Sequence, residues 1–294
     1  MPLSALAMVV LAGFLHAIWN IAAKKAGGDL RFVAFTSLVL AMFWAPLGLW
    51  LAWQQLPLWG PIQWGLAAVS ALLHVTYFVT LLRGYRMADL TVVYPVARGS
   101  GPLLSSTVAV VLLGERLTLS GVLGIAAVAA GVFLIAGGPA LWRVAHDPAQ
   151  RARVHAGLYW GGLTGLLIAA YTVVDGYAVK WAEMSPVLID YSGNLIRLLL
   201  IGPVLLRDRA AVRQLWRLQW RHACVVGVLS PVSYVLVLYA MQLAPLSHVA
   251  PAREVSMLFA ALIGGHLLGE GERRLRLAGA VLMALGVMAL GWGG

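Results

Sequence analysis

Two segments of the chain align with each other without a gap. The first reads "ARGSGPLLSSTVAVVLLGERLTLSGVLGIAAVAAGV" (residues 97–132) and the second "AREVSMLFAALIGGHLLGEGERRLRLAGAVLMALGV" (residues 252–287). The coincident Ala-Arg and Leu-Gly-Glu positions indicate an internal repeat, although shared apolar composition makes isolated leucine and glycine matches frequent. The first-segment residues with an identical partner include Ala97, Arg98, Leu103, Leu112, Leu113, Gly114, Glu115, Gly124, Gly131 and Val132.

The composition around these segments is that of a membrane protein. Of the 294 residues, 61% are hydrophobic and 11% are charged, against roughly 25% charged in soluble domains. Apolar runs recur along the chain at the length of about 20 residues that spans a bilayer. The N-terminus "MPLSALAMVV" has no positive charge before its apolar stretch, which favours a first membrane helix over a signal peptide.

The cysteine count and the distribution of charge exclude several other classes of protein. The single cysteine, Cys224, rules out an internal disulfide and a cysteine metal site. The net charge of +10 would suggest nucleic acid in a soluble chain, but here the basic residues lie mainly in short loops that orient membrane helices. We therefore expect a lipid bilayer as the surroundings, with no nucleic-acid partner and no cofactor.

Charged and Pro/Gly-rich breaks divide the chain into ten predicted helices. This predicts an all-α integral membrane fold with repeats over residues 1–138 and 156–294, joined by a cytoplasmic linker over residues 139–155. The helices are predicted at residues 3–23, 32–53, 62–82, 90–112, 118–137, 156–179, 186–206, 223–241, 246–268 and 275–292.

Loop charges predict the orientation. Most basic residues outside the helices lie in the loops after helices 1, 3, 5, 7 and 9, whereas the opposite side holds only Arg116 and Lys180. The positive-inside rule then places both termini on the outer, periplasmic side of an inner membrane. With five helices in each half, the two repeats must be inverted relative to each other. Inverted repeats place a binding site near the midplane between the halves, which favours a transporter with a central cavity.

The paired closing motifs "LGERLTLSGVLGIAAVAAGV" and "LGEGERRLRLAGAVLMALGV", with the opening "HAIWNIAAKKA", resemble the EamA-type branch of the drug/metabolite transporter superfamily. The resemblance covers essentially the whole chain. It implies a ten-helix bundle, alternating access and export of amino acids, neutral and aromatic ones included, or of related metabolites, as in YddG-type exporters. It specifies the superfamily better than the substrate.

Ionisable side chains within the spans are the first candidates for a site, because each costs about 2.5–3.5 kcal/mol at the bilayer centre. The alternative is that they pair with one another to fix helix packing. Asp190, Asn194 and Arg197 share one face of helix 7, and we interpret them as a structural polar seam. The residues concerned are Arg98, Asp175, Asp190, Arg197, Arg253 and Glu254.

Arg98 and Arg253 are equivalent positions of the repeat, and each follows a proline. Tyr94 lies one turn before Arg98. A guanidinium binds a carboxylate or phosphate through two parallel hydrogen bonds, so these arginines are candidate substrate ligands. Glu254 lies about 100° round a continuous helix from Arg253, so we expect the two not to point fully into one cavity.

Polar and aromatic residues on other helices complete the candidate site. A zwitterionic amino acid would suit it, with its carboxylate on an arginine and its ammonium on Asp175 or an aromatic face. The alternatives are an interhelical hydrogen bond for His16 and an ion pair with Lys180 for Asp175. These further candidates are His16, Trp19, Asn20, His74, Tyr77, Tyr171, Asp175 and Tyr234.

The motifs that the sequence lacks bear on other functions. The chain has no HExxH or GxSxG motif and no ATP-binding loop, so we expect no enzyme activity and secondary or facilitated transport. Asp175, Glu254 or a histidine is a candidate carrier of a coupling proton. The alternative is uptake or flipping of a phosphorylated or lipid-linked metabolite, which the same arginines would suit. We expect a monomer or weak dimer, and we interpret Glu115 and Glu270 as interfacial caps or partners of Arg116 and Arg273.

Overall fold

The computed structural model describes residues 1–27, 29–88, 90–136, 151–207, 209–264 and 273–292. Every regular element in these ranges is a helix, so the all-α class is confirmed for them. Short 3₁₀ turns follow α3 at Leu56–Leu58 and α8 at Gly202–Leu206. The α-helices are α1 (Leu3–Ala26), α2 (Leu30–Phe43), α3 (Ala45–Gln55), α4 (Pro61–Met87), α5 (Leu90–Leu112), α6 (Leu119–Ile135), α7 (Arg151–Lys180), α8 (Pro186–Ile201), α9 (Arg209–Leu243), α10 (Leu246–Ala252), α11 (Val255–Gly264) and α12 (Arg273–Trp292).

Several of these helices are built to cross a bilayer. By length and composition, six helical segments of the described residues qualify, or seven if the bent pair of α2 and α3 counts as one span. That pair bends by 66° at the break before Pro46, whose ring cannot continue the helix of the preceding turn. The helix α6 and the segment Leu277–Trp292 of α12 are apolar but shorter. The chain is therefore a multi-pass membrane protein.

The helices pack in reciprocal pairs. The contact of α1 with α9 has its counterpart in the contact of α4 with α7, and that of α5 with α7 in the contact of α1 with α11. Each of these contacts between the halves therefore occurs twice, the second time with the roles of the two halves reversed.

Helix α6 packs closely against α12, its counterpart in the second half. A Cβ added at Gly131 would lie 2.7 Å from the carbonyl oxygen of Gly279, and one at Gly124 would lie 2.9 Å from that of Gly286. In the gap-free register Gly124 is equivalent to Gly279 and Gly131 to Gly286. Gly131 thus contacts the repeat equivalent of Gly124, and Gly124 contacts the repeat equivalent of Gly131. The two helices therefore run antiparallel about a local two-fold axis.

The start of α9 differs from the prediction. Helix 8 was expected from residue 223, whereas α9 begins at Arg209. Exposed arginines recur every four residues here, while Val212, Leu215 and Trp216 pack against the cluster containing Phe32 and Phe35. The segment is an amphipathic helix, and its density of arginines was wrongly interpreted as a loop.

Helix α7 also begins early, at Arg151, inside the predicted linker. The preceding linker residues, 139–150, lie outside the described ranges.

The N-terminus and the end of α12 lie at one end of the molecule. The Met1 amino group donates to the carbonyl oxygens of Leu290 at 3.4 Å and Gly291 at 3.0 Å. We call this the terminal end; that it faces the periplasm stays a prediction from loop charge.

We predict that Gly131→Ala destabilises the protein, because its methyl group would overlap the Gly279 carbonyl and force α6 from α12. The expected loss is about 1–3 kcal/mol, as for other overpacked sites, measured as thermal unfolding in detergent. The matched control is Gly162→Ala in α7, where an added Cβ meets nothing within 4 Å. An equal stability of the two variants would contradict close packing at the α6–α12 contact.

Candidate substrate site between the two halves

The site begins at a break in the ninth predicted helix. Helix 9 was expected to run unbroken over residues 246–268, but α10 ends at Ala252 and α11 begins at Val255. Across the break the amide of Glu254 donates to the carbonyl of Pro251 at 3.0 Å, and that of Ser256 to the carbonyl of Arg253 at 3.2 Å. These amides bond three residues back instead of four, and the chain passes Arg253 and Glu254 in a tight turn.

Two arginines converge on this turn. In the unbroken α5, the Arg98 guanidinium donates to Ser256 Oγ at 3.1 Å, and its Nη2 lies 2.8 Å from Glu254 Oε2. Arg253 Nε lies 3.7 Å from Glu254 Oε1. The Glu254 side chain is only 1% exposed. Arg253 and Glu254 therefore belong to one charged cluster with Arg98 at this turn.

A second cluster surrounds Asp175 on α7, which is fully buried. His74 Nε2 on α4 lies 2.9 Å from Asp175 Oδ2, and the Tyr234 hydroxyl on α9 donates to the same oxygen. The Tyr234 hydroxyl also lies 3.4 Å from His74 Nε2. The ion pair expected as the alternative, between Asp175 and Lys180, is not formed; His74 and Tyr234 take that role.

Tyr171 joins the two clusters. Its ring stacks on the His74 ring with centroids 4.2 Å apart, and its hydroxyl accepts a hydrogen bond from Arg253 at 3.4 Å. The Tyr77 ring lies 5.5 Å from the Tyr171 ring. One polar and aromatic network, which we call the central network, thus connects α4, α5, α7, α9 and the turn before α11. Its members are His74, Tyr77, Arg98, Tyr171, Asp175, Tyr234, Arg253, Glu254 and Ser256.

The other predicted site residues are placed differently. Asn20 is exposed and its amide donates to the His16 carbonyl one turn earlier at 2.8 Å. His16 contacts Trp19 edge to face at 4.5 Å, and Trp19 packs against the apolar cluster of Phe32 and its neighbours. Tyr94 is 37% exposed. None of these four is hydrogen-bonded to the central network through the contacts of the described residues.

Four atoms of the network are buried without a hydrogen-bond partner among the described residues: the donor Arg98 Nε, the acceptor Asp175 Oδ1 and both carboxylate oxygens of Glu254. The two Glu254 oxygens lie in ion pairs with Arg98 and Arg253. Buried polar atoms are normally paired, and an unpaired one calls for a ligand or water. The gap beside Arg98 and Glu254, with Gly99 and Pro251 among its lining residues, is too narrow to hold a water molecule.

Some polar residues have structural roles instead. The Asn194 amide on α8 donates to the Ser37 carbonyl on α2 at 3.0 Å in the buried interior, which fits the polar seam inferred from sequence. Glu115 was interpreted as an interfacial cap or a partner of a nearby arginine, and its carboxylate caps α10 by accepting the amides of Leu246 and Ser247. Glu270, the equivalent of Glu115, lies outside the described residues.

Ser256 was not predicted as part of the site. It follows Arg253 by one turn, and that spacing was the available signal.

Residues 3–137 and 155–292 each match the EamA-like transporter family. The chain belongs to this family. It is a transporter of the drug/metabolite superfamily, built from two repeats of one unit, and the family's members move small molecules across membranes.

One solved crystal structure superposes on 97% of this chain and 97% of its own, with a TM-score of 0.72 and 16% sequence identity. At that identity the likeness shows a shared fold. No curated protein matches the chain in sequence.

We predict that Glu254→Gln lowers the thermal stability strongly. Two partly buried arginines would lose a shared, buried carboxylate, and breaking a buried ion pair costs roughly 3–5 kcal/mol. The exposed Glu183→Gln removes the same charge from a loop and should leave the unfolding temperature unchanged. Equal unfolding temperatures for both variants would show that Glu254 does not neutralise the arginines.

Proposed function

We propose that this protein exports amino acids, neutral and aromatic ones included, by secondary or facilitated transport with alternating access. Ten spans would form two inverted five-helix repeats around a central cavity, with the central network at its wall. The family assignment, the reciprocal helix contacts and the antiparallel α6–α12 pair support this arrangement.

The observation that carries the substrate class is that an arginine donor and a carboxylate acceptor at the two ends of the network lack hydrogen-bond partners among the described residues. Arg98 Nε offers a donor suited to a substrate carboxylate, and Asp175 Oδ1 offers an acceptor suited to an ammonium group. Both belong to one network, so a single zwitterion could satisfy both. The rings of Tyr77 and Tyr171 would provide an apolar wall for the substrate side chain.

Charge balance supports the same assignment. Arg98 and Arg253 carry two positive charges against one on Glu254, so the arginine cluster keeps one excess positive charge. Asp175 supplies one negative charge at the other end of the network, beside His74. A zwitterion laid between them meets opposite charges at both ends and brings no net charge into the membrane.

The His74–Asp175 pair is also our candidate for a coupling proton. A buried carboxylate paired with a histidine can hold a proton at either group, whereas an arginine partner stays charged at every physiological pH.

The test of this proposal is a thermal-shift screen of the purified protein against amino acids and phosphorylated metabolites. Compounds that stabilise it are then assayed for flux in proteoliposomes. Stabilisation and saturable flux by amino acids would support the proposal. Response to phosphorylated compounds alone would favour the alternative substrate class.

We predict that Arg98→Ala abolishes stabilisation by amino acids and lowers flux at least about tenfold, the loss of one strong carboxylate contact of about 1.5–3 kcal/mol. Arg98→Lys should recover only part of the lost flux, because an ammonium group cannot form the two parallel hydrogen bonds by which a guanidinium binds a carboxylate. The exposed Arg86→Ala serves as the control. Flux by Arg98→Ala at the Arg86→Ala rate would remove Arg98 from the site.

We also predict discrimination by the substrate carboxylate. Amino-acid methyl esters keep the ammonium and side chain but lose the negative charge, so they should neither stabilise the protein nor compete for flux. Competition assays with matched ester and acid measure this. Equal competition by the two would place substrate recognition away from the arginines.

A further inference from the structure

Glu115 ties two distant parts of the chain together at the terminal end. It lies between α5 and α6, and its two carboxylate oxygens accept the amides of Leu246 at 2.7 Å and Ser247 at 2.8 Å. These are the first residues of α10, 131 and 132 positions further along the chain. The carboxylate compensates helix-start amides that have no partner within their own helix, and its side chain is only 8% exposed.

Lys180 joins the same contact from the end of α7. Its ammonium lies 3.8 Å from Glu115 Oε1 and donates to the carbonyl of Ala244 at 3.1 Å. The buried Ser106 hydroxyl on α5 donates to the Ser247 carbonyl at 3.1 Å. The start of α10 is therefore held by Glu115 and Ser106 from the first half and by Lys180 from the second.

Helix α10 connects this contact to the central network. Helix α10 is seven residues long and ends at the turn of Arg253 and Glu254. At about 1.5 Å per residue it spans about 10 Å, so a shift at Leu246 is passed directly to the central network.

The contact also lies at the terminal end. A Cβ added at Gly121 would lie 3.2 Å from the His248 ring, and one at Gly124 would lie 2.8 Å from Leu290, whose carbonyl accepts from Met1. These contacts connect the start of α10 with the helix that carries the C-terminus.

We propose that Glu115 and Lys180 form a latch that holds the terminal end of the transporter closed. Glu115 is a positioning residue: it fixes α10, and α10 presents Arg253 and Glu254 to the site. The inference rests on the proposed alternating access, since opening this end must separate the first half from α10. Removing the latch shifts the equilibrium toward a conformation open at the terminal end.

The experiment measures that opening directly and needs no substrate. Spin labels are attached to cysteines replacing Leu119 and Tyr177, which are exposed on α6 and on the last turns of α7. The sole natural cysteine is removed by Cys224→Ser, and distances are measured by pulsed electron resonance in lipid nanodiscs. Glu115→Gln removes the charge and one acceptor, Lys180→Met removes the ammonium and keeps the helix cap, and Glu183→Gln removes an exposed carboxylate from the same end.

We expect Glu115→Gln to raise the ratio of long to short distances about tenfold, equivalent to about 1.4 kcal/mol, with a smaller rise for Lys180→Met. Glu183→Gln should keep the unsubstituted distribution. The latch is excluded if both latch variants keep that distribution while unfolding at the control temperature. If Glu115→Gln does not fold, Lys180→Met decides alone. A shift in distances without amino-acid flux would retain the latch and refute the proposed substrate.

Discussion

The structure depends on one shared carboxylate. Glu254 is almost fully buried between Arg98 and Arg253, and without it two guanidinium groups would face each other inside a membrane. A charge at the bilayer centre costs about 2.5–3.5 kcal/mol even on insertion scales, so such a triad requires compensation within the protein. One carboxylate compensates one arginine, and the remaining positive charge sets the chemistry of the site. The most direct account of that charge is a ligand that brings a carboxylate.

The shared glutamate also explains why the two halves of the chain are not equivalent at the site. In the gap-free register Arg98 matches Arg253, but Glu254 matches Gly99. Helix α5 continues through Arg98, whereas its counterpart breaks at Arg253. The packing of α6 on α12 is symmetric between the two halves. The turn at Arg253 and the carboxylate of Glu254 occur in the second half only, so the charged cluster is asymmetric.

The repeat and the all-helical membrane class could be predicted from the sequence, because these follow from composition and from residue identities in register. Sequence reasoning could also propose His74, Tyr171, Asp175 and Tyr234, since a polar residue in an apolar helix is costly wherever it lies. It did not predict their pairing, which depends on how α4, α7 and α9 rotate against one another. The break at Arg253 and the early start of α9 were missed because proline and arginine patterns are compatible with both a helix and its interruption. The role of Glu115 joins residues more than 130 positions apart, and no local pattern encodes it.

The central claim is that the network binds an amino acid and carries it across the membrane. Counterflow in proteoliposomes tests this most directly: vesicles are loaded with an unlabelled aromatic amino acid and then exposed to a trace of the labelled compound. A carrier with alternating access exchanges one molecule for another, so the account predicts a transient accumulation of label above its equilibrium level. Simple equilibration without that overshoot, or no uptake of any amino acid, would contradict it.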